Sequence, residues 1–137
     1  MTGKCFVDSN VWVYARDLSD PARQAKAIAL IEELTRCQTL VISVQVISEF
    51  HEAVRRRTGP QPALTAAVEA MIEFHPEPLT SETIRRAASL TRRHSLSWWD
   101  ALIVSSAAMA GCRTLYTEDM QAGASIDGVE IVNPFQP

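Results

Sequence analysis

The chain has 137 residues, 47% of them hydrophobic, and a formal net charge of −3. Those values suit one domain, residues 1–137, built on a single core, and they exclude a disordered chain. No apolar run is long enough to cross a bilayer, and the opening MTGKCFVDSN lacks the pattern of a secretory signal, so the expected location is cytoplasmic.

The elements read as strands alternating with helices. Lys4–Val7 is a short apolar strand, and Asn10–Asp17 is helical. A second helix is expected to start with Asp20 as N-cap and Pro21 at its first position, carrying an apolar stripe through Ala25, Ile28, Ala29 and Leu34. Leu40–Ile42 reads as a buried strand, after which Ser43 caps a helix that runs to about Arg57 and stops before Gly59-Pro60. Further helices are expected over Pro62–Phe74, Ser81–His94 and Trp98–Ala110, the last capped by Ser97 and closed by Gly111. Thr114–Tyr116 and Val129–Val132 read as strands. Short strands rich in Val, Ile and Leu, alternating with helices, predict an α/β fold with a mainly parallel sheet covered on both faces. Ligands of such sheets bind beyond the carboxyl ends of the strands.

Against that pattern, Asp8, Glu49, Asp100 and Asp119 each stand beside a segment that reads as buried. Acids are rarely buried unless paired or bound to a cation. Taken singly, each has an ordinary structural explanation. Asp8 would cap the next helix, Glu49 would lie on a surface, Asp100 would complete a capping box with Ser97, and Asp119 would form a turn. Glu49 shares a ridge with Val46 and Ala53, however, and Asp100 shares one with Ile103, Val104, Ala107 and Ala108. Gathered together, two carboxylates about 4 Å apart repel by roughly 4 kcal/mol at an effective dielectric near 20. A divalent cation removes that cost. An all-oxygen donor set suits magnesium or manganese, one or two ions, whereas zinc prefers His and Cys. Cys5, Cys37 and Cys112 are widely spaced with no CxxC pair, and read as reduced, mostly buried thiols. His51, His75 and His94 form no H-E-x-x-H pattern.

Charge permits a polyanionic partner. Removing these four from the 16 acids leaves 12 against 13 Lys and Arg, a balance of +1. Arg55-Arg56-Arg57, Arg85-Arg86 and Arg92-Arg93 are expected on solvated helix faces, and Trp98 and Trp99 in the core.

In order and spacing, FVDSNVWVYA, ISVQVISEF, LSWWDALIVSSAAMAGC and LYTEDMQ resemble the PIN-domain ribonucleases, especially the VapC-type toxins of toxin–antitoxin pairs, over nearly the whole chain. That resemblance implies a three-layer α/β/α sandwich and an acidic pocket for one or two magnesium or manganese ions. It implies Asp8, Glu49, Asp100 and Asp119 as catalytic, metal-binding acids, with Asn10 and Thr117 as polar helpers. It further implies endonucleolytic hydrolysis of RNA, leaving a 5′-phosphate and a 3′-hydroxyl. A cognate antitoxin, bound along the first helices, is the implied protein partner, while monomer and homodimer both stay open. The final motif departs from the family pattern, since Ala122 stands where an aromatic residue is common and Glu118 adds a second acid. Glu118 and Asp119 therefore compete as the fourth metal ligand.

Two other readings compete with this one. A phosphoacceptor domain needs a late lysine, and the only lysines are Lys4 and Lys26. A non-catalytic PIN-like module that binds RNA or protein would be expected to lose some of the acids, and all are present.

Overall fold

In the computed structural model, which describes residues 3–137, β1 (Cys5–Val7) leads into α1 (Ser9–Tyr14) and α2 (Pro21–Arg36). After β2 (Leu40–Val41) come α3 (Val44–Thr58), α4 (Pro62–Ile72), α5 (Ser81–Arg93) and α6 (Trp98–Met109). The chain then adds β3 (Thr114–Tyr116), β4 (Ser125–Ile126) and β5 (Val129–Val132). The strands form one sheet in the order β2-β1-β3-β5-β4, parallel throughout except for the β4–β5 pair. This is an α/β fold with a mostly parallel five-stranded sheet flanked by helices.

Strand order decides where a ligand can sit. From β1 the chain moves outward to β2 on one side and later returns to β3 on the other. The carboxyl ends of β1 and β3, paired at Val7 and Tyr116, therefore flank a topological switch point, where a crevice opens in sheets of this kind. Asp8 and Thr117 follow those two strand ends directly.

Helix starts are set by short polar side chains. Asp20 accepts from the Arg23 amide, with Pro21 at the first helical position. Ser43 accepts from the Val46 amide, and Ser97 from the Asp100 amide. Thr80 and Thr83 form a reciprocal capping box at the start of α5. Gly111, just past α6, has φ +78°, a left-handed conformation that glycine adopts without a Cβ penalty. Ala101 through Ala107 are all buried, so α6 is a central helix, apolar on every side, that contacts β3, β5 and α5. The C-terminal segment packs back through Phe135, whose ring meets Tyr14 edge-on at 5.0 Å.

Several expectations need correction. The buried stripe of α2 runs through Ala27 and Leu34, with Leu30 and Ile31 packed against the core, while Ala25, Ile28 and Ala29 are exposed. The sequence register was rotated because alanines are too small to mark a face. Trp98 and Trp99 are exposed rather than in the core, because they occupy the first turn of α6, ahead of its buried stretch. Cys37 is also exposed, since it follows the end of α2 at the surface. The two-residue β4 carries too little sequence to signal a strand.

The corrected α2 register has a measurable consequence. Leu34→Ala should cost about 2–5 kcal/mol in urea unfolding, as buried leucines do, and Ile28→Ala less than about 1 kcal/mol. Equal losses would put Ile28 back in the core.

Candidate active site

Asp8 stands at the junction of β1 and α1. Its amide donates to the Tyr116 carbonyl at 3.0 Å, which fixes the carboxylate beside the end of β3. The side chain is 3% exposed, and neutral donors surround it. Oδ1 accepts from the Ser9 amide at 2.7 Å, and Oδ2 accepts from the Thr117 hydroxyl at 2.9 Å. Burial pushes the Asp8 carboxyl from its usual 3.8 up to about 7, against those two hydrogen bonds. The charges of Glu49 and Asp119 raise it further.

Thr117 is fully buried and serves three partners through one oxygen. It donates to Asp8, and it accepts from Asn10 Nδ2 and from the Asp119 amide, both at 3.1 Å. Asn10 completes the link by donating to Asp119 Oδ2 at 3.0 Å, while its own carbonyl oxygen accepts from the Glu118 amide at 3.2 Å. The loop after β3 is thereby tied to the first turn of α1.

Glu49 reaches the group from α3. Its Oε1 accepts from Ser9 Oγ at 3.0 Å, and its Oε2 from Gln45 Nε2 at 3.1 Å. Ser9 thus connects Asp8 to Glu49 by its amide and hydroxyl together. Asp100 enters from the first turn of α6 and shares a depression of about 310 Å³ with Asp119 and His94. Its carboxyl is also raised, first by burial and additionally by the charge of Asp119, while Ser97 opposes the shift. The electrostatic couplings therefore chain Glu49 to Asp8, Asp8 to Asp119, and Asp119 to Asp100.

Glu118 has a different environment. It is ion-paired to Arg23 at 2.8 Å and accepts from the Tyr14 hydroxyl at 2.9 Å. Arg23 also lies over the rings of Tyr14 and Phe135, at 5.4 and 5.7 Å. Among the described residues, no ion pair involves Asp8, Glu49, Asp100 or Asp119. Of the acids in this region, Glu118 is the one already neutralised.

Residue patterns alone did not single out Ser9, Gln45, Tyr14 or Arg23. Gln45 carried a signal, because it lies four residues before Glu49 on the same helix ridge. Arg23 carried none, since its partner is 95 residues away in sequence.

The family model described as "PIN domain" matches residues 5–123. No individual curated protein matches the sequence. Among solved structures, the chain is similar to Mycobacterium tuberculosis VapC20, described as a sarcin–ricin-loop-cleaving toxin, with TM-score 0.66 and 22% identity over 85% of this chain and 90% of that one. A toxin–antitoxin complex from Klebsiella pneumoniae gives TM-score 0.68 and 18% identity, covering 96% of this chain and 98% of that one. VapBC2 from Rickettsia felis, bound to a promoter DNA fragment, gives 0.69 and 16%, covering 93% of this chain and 96% of that one. With nearly the whole fold covered and the family match spanning both strand ends that carry Asp8 and Thr117, the chain belongs to the PIN-domain family.

Proposed function

We propose that the protein is a divalent-metal-dependent endoribonuclease, acting as one unit over residues 1–137, and the toxin of a toxin–antitoxin pair. The observation that carries this reading is that neutral donors link Asp8 to Glu49 through Ser9 and to Asp119 through Thr117 and Asn10, that Asp100 lines one depression with Asp119, and that no ion pair among the described residues involves any of the four. Like charges gathered in this way call for a cation.

The donors fit magnesium or manganese. The four acids offer oxygen donors only, and magnesium keeps several waters while binding through one or two carboxylates. Among the described residues, no three His, Cys, Asp or Glu side chains form a ready-made cage. Asp8, Asp119, Asp100 and Glu49 would hold the ion, with Glu118 committed to Arg23 instead. When bound, such an ion acidifies water and stabilises negative charge on the phosphoryl and leaving oxygens. The chain's own groups prepare for this. Thr117 and the Ser9 amide aim the two oxygens of Asp8, Asn10 aims Asp119, and Ser9 with Gln45 aims Glu49.

An antitoxin partner fits an apolar groove of about 300 Å³ away from the acids. Its walls include Trp12, Ile28, Ile31, Phe50, Met71 and Phe74. The exposed Ile28 that departs from the expected α2 stripe lines this groove.

Mapping cleavage sites on total RNA after induction tests the activity and identifies its target. Asp8→Asn and Asp100→Asn should each reduce cleavage by at least about a hundredfold, the scale of losing one transition-state electrostatic contact. Glu118→Gln should reduce it far less. Cleavage at the wild-type rate by the two Asp→Asn variants would end the proposal.

The site also predicts a pH dependence. Asp8 holds its proton more tightly folded, at about 7, than unfolded, at the ordinary 3.8. The stability linked to that proton is complete below the ordinary value and is lost as pH rises through about 7. Carboxylates such as Asp17 and Glu52, lowered by their hydrogen-bond partners, push the opposite way, so comparison with Asp8→Asn isolates the effect. In urea unfolding without metal, the stability of wild type relative to Asp8→Asn should fall across this window. Manganese, which competes with the proton, should stabilise the wild type more as pH rises. Parallel pH profiles for the two proteins would remove the buried-carboxylate argument.

A further inference from the structure

Trp98 and Trp99 open α6 immediately before Asp100, and both lie at the surface, 38% and 62% exposed. An indole left in water forgoes a large hydrophobic gain, so exposure beside an acidic site asks for an occupant.

Trp99 is anchored to the site. Its carbonyl accepts from Gln45 Nε2 at 3.2 Å, and the same amide group donates to Glu49 Oε2 at 3.1 Å. Trp99 lines a depression of about 540 Å³ together with Ser48, Glu49, Glu52 and Arg56 of α3. Arg56 is available for an anion. Its side chain is 74% exposed and meets Glu52 only at 3.9 Å, whereas Glu52 is engaged by Arg55 through two hydrogen bonds of 2.9 and 2.7 Å. From Glu49 to Arg56 is two helical turns, about 10 Å along α3. The depression therefore brings together Glu49 of the site, a weakly paired arginine and an exposed indole.

We propose that Trp99 and Arg56 form a nucleotide-binding subsite for the RNA strand next to the scissile phosphate. An unpaired base stacks on Trp99, and a neighbouring phosphate meets Arg56. This deepens the nuclease reading and rests on it. Stacking on an aromatic ring tolerates any base but needs one that is free of its helix, so the subsite selects unpaired RNA over duplex and imposes little sequence preference.

Steady-state cleavage of an unstructured RNA oligonucleotide, with the same sequence locked in a hairpin stem as comparison, supplies the test. Trp99→Ala should raise KM about tenfold, in line with one lost base stack, with kcat within about twofold of wild type. Trp99→Phe should restore most of the loss. Arg56→Ala should raise KM and flatten its salt dependence. Binding is read separately in the Asp8→Asn background without turnover. There, single-stranded oligonucleotide should quench tryptophan fluorescence, and the added Trp99→Phe change should remove most of the quench while keeping affinity. A manganese-induced rise in Tm equal to wild type shows that Trp99→Ala is folded with its acids in place. Unchanged KM and unchanged affinity in that folded, active variant overturn the subsite and leave the nuclease intact. Loss of a dimer on light scattering with RNA affinity unchanged also overturns it, because Trp99 would then belong to a contact between copies. A wild type that neither binds nor cleaves RNA in manganese takes both proposals down together.

Discussion

The hydroxyl of Thr117 holds together the part of this molecule on which the rest depends. Buried where β3 ends, it donates to Asp8 while accepting from Asn10 and from the Asp119 amide. One oxygen thereby ties the Asp8 carboxylate to the backbone of Asp119, whose own carboxylate is held by Asn10. A hydroxyl can do this because it donates and accepts at once and carries no charge. An arginine in the same place would hold the acids together by neutralising them, and would leave no negative charge for a cation. The position of Thr117 follows from its own amide, which donates to the Val132 carbonyl at 3.0 Å, so the sheet itself places the hydroxyl.

The environments of Glu118 and Asp119 show the same principle by contrast. Adjacent in sequence, they turn to different partners. Glu118 is spent on Arg23 and Tyr14, within a cluster closed by Phe135, and Asp119 is left to Asn10. The paired acid anchors the loop to α2, and its neighbour, which has no ion pair among the described residues, faces Asn10. An anchoring salt bridge of this half-exposed kind contributes little to global stability. Its effect is local, since it fixes which way the residue after it faces.

Exposure on the rim follows from the same architecture. α6 must enter the sheet interior within one turn to bury Ala101 through Ala107, and its two leading tryptophans are left outside that burial. Gln45 then joins the backbone of Trp99 to the carboxylate of Glu49. Away from this rim, the groove lined by Trp12, Ile28 and Phe50 is almost wholly apolar. Two surfaces of different character thus occupy one small fold, one carrying acidic and basic side chains and one almost wholly apolar.

The sequence by itself determined the alternation of strands and helices, the caps at Asp20, Ser43 and Ser97, and the left-handed stop at Gly111, because each rests on the chemistry of neighbouring residues. It also singled out Asp8, Glu49, Asp100 and Asp119, since an acid beside a buried stretch is conspicuous without coordinates. Tertiary structure decided what depends on residues distant in the chain. It assigned Glu118 to Arg23 across 95 positions and made Ser9 the bridge between Asp8 and Glu49. It also rotated α2, so that Ala27 is inside and Ile28 outside, and left Trp99 in solvent. Local propensity reads one turn or one strand at a time. Which face is buried, and which of two adjacent acids is neutralised, depends on the partners that packing supplies.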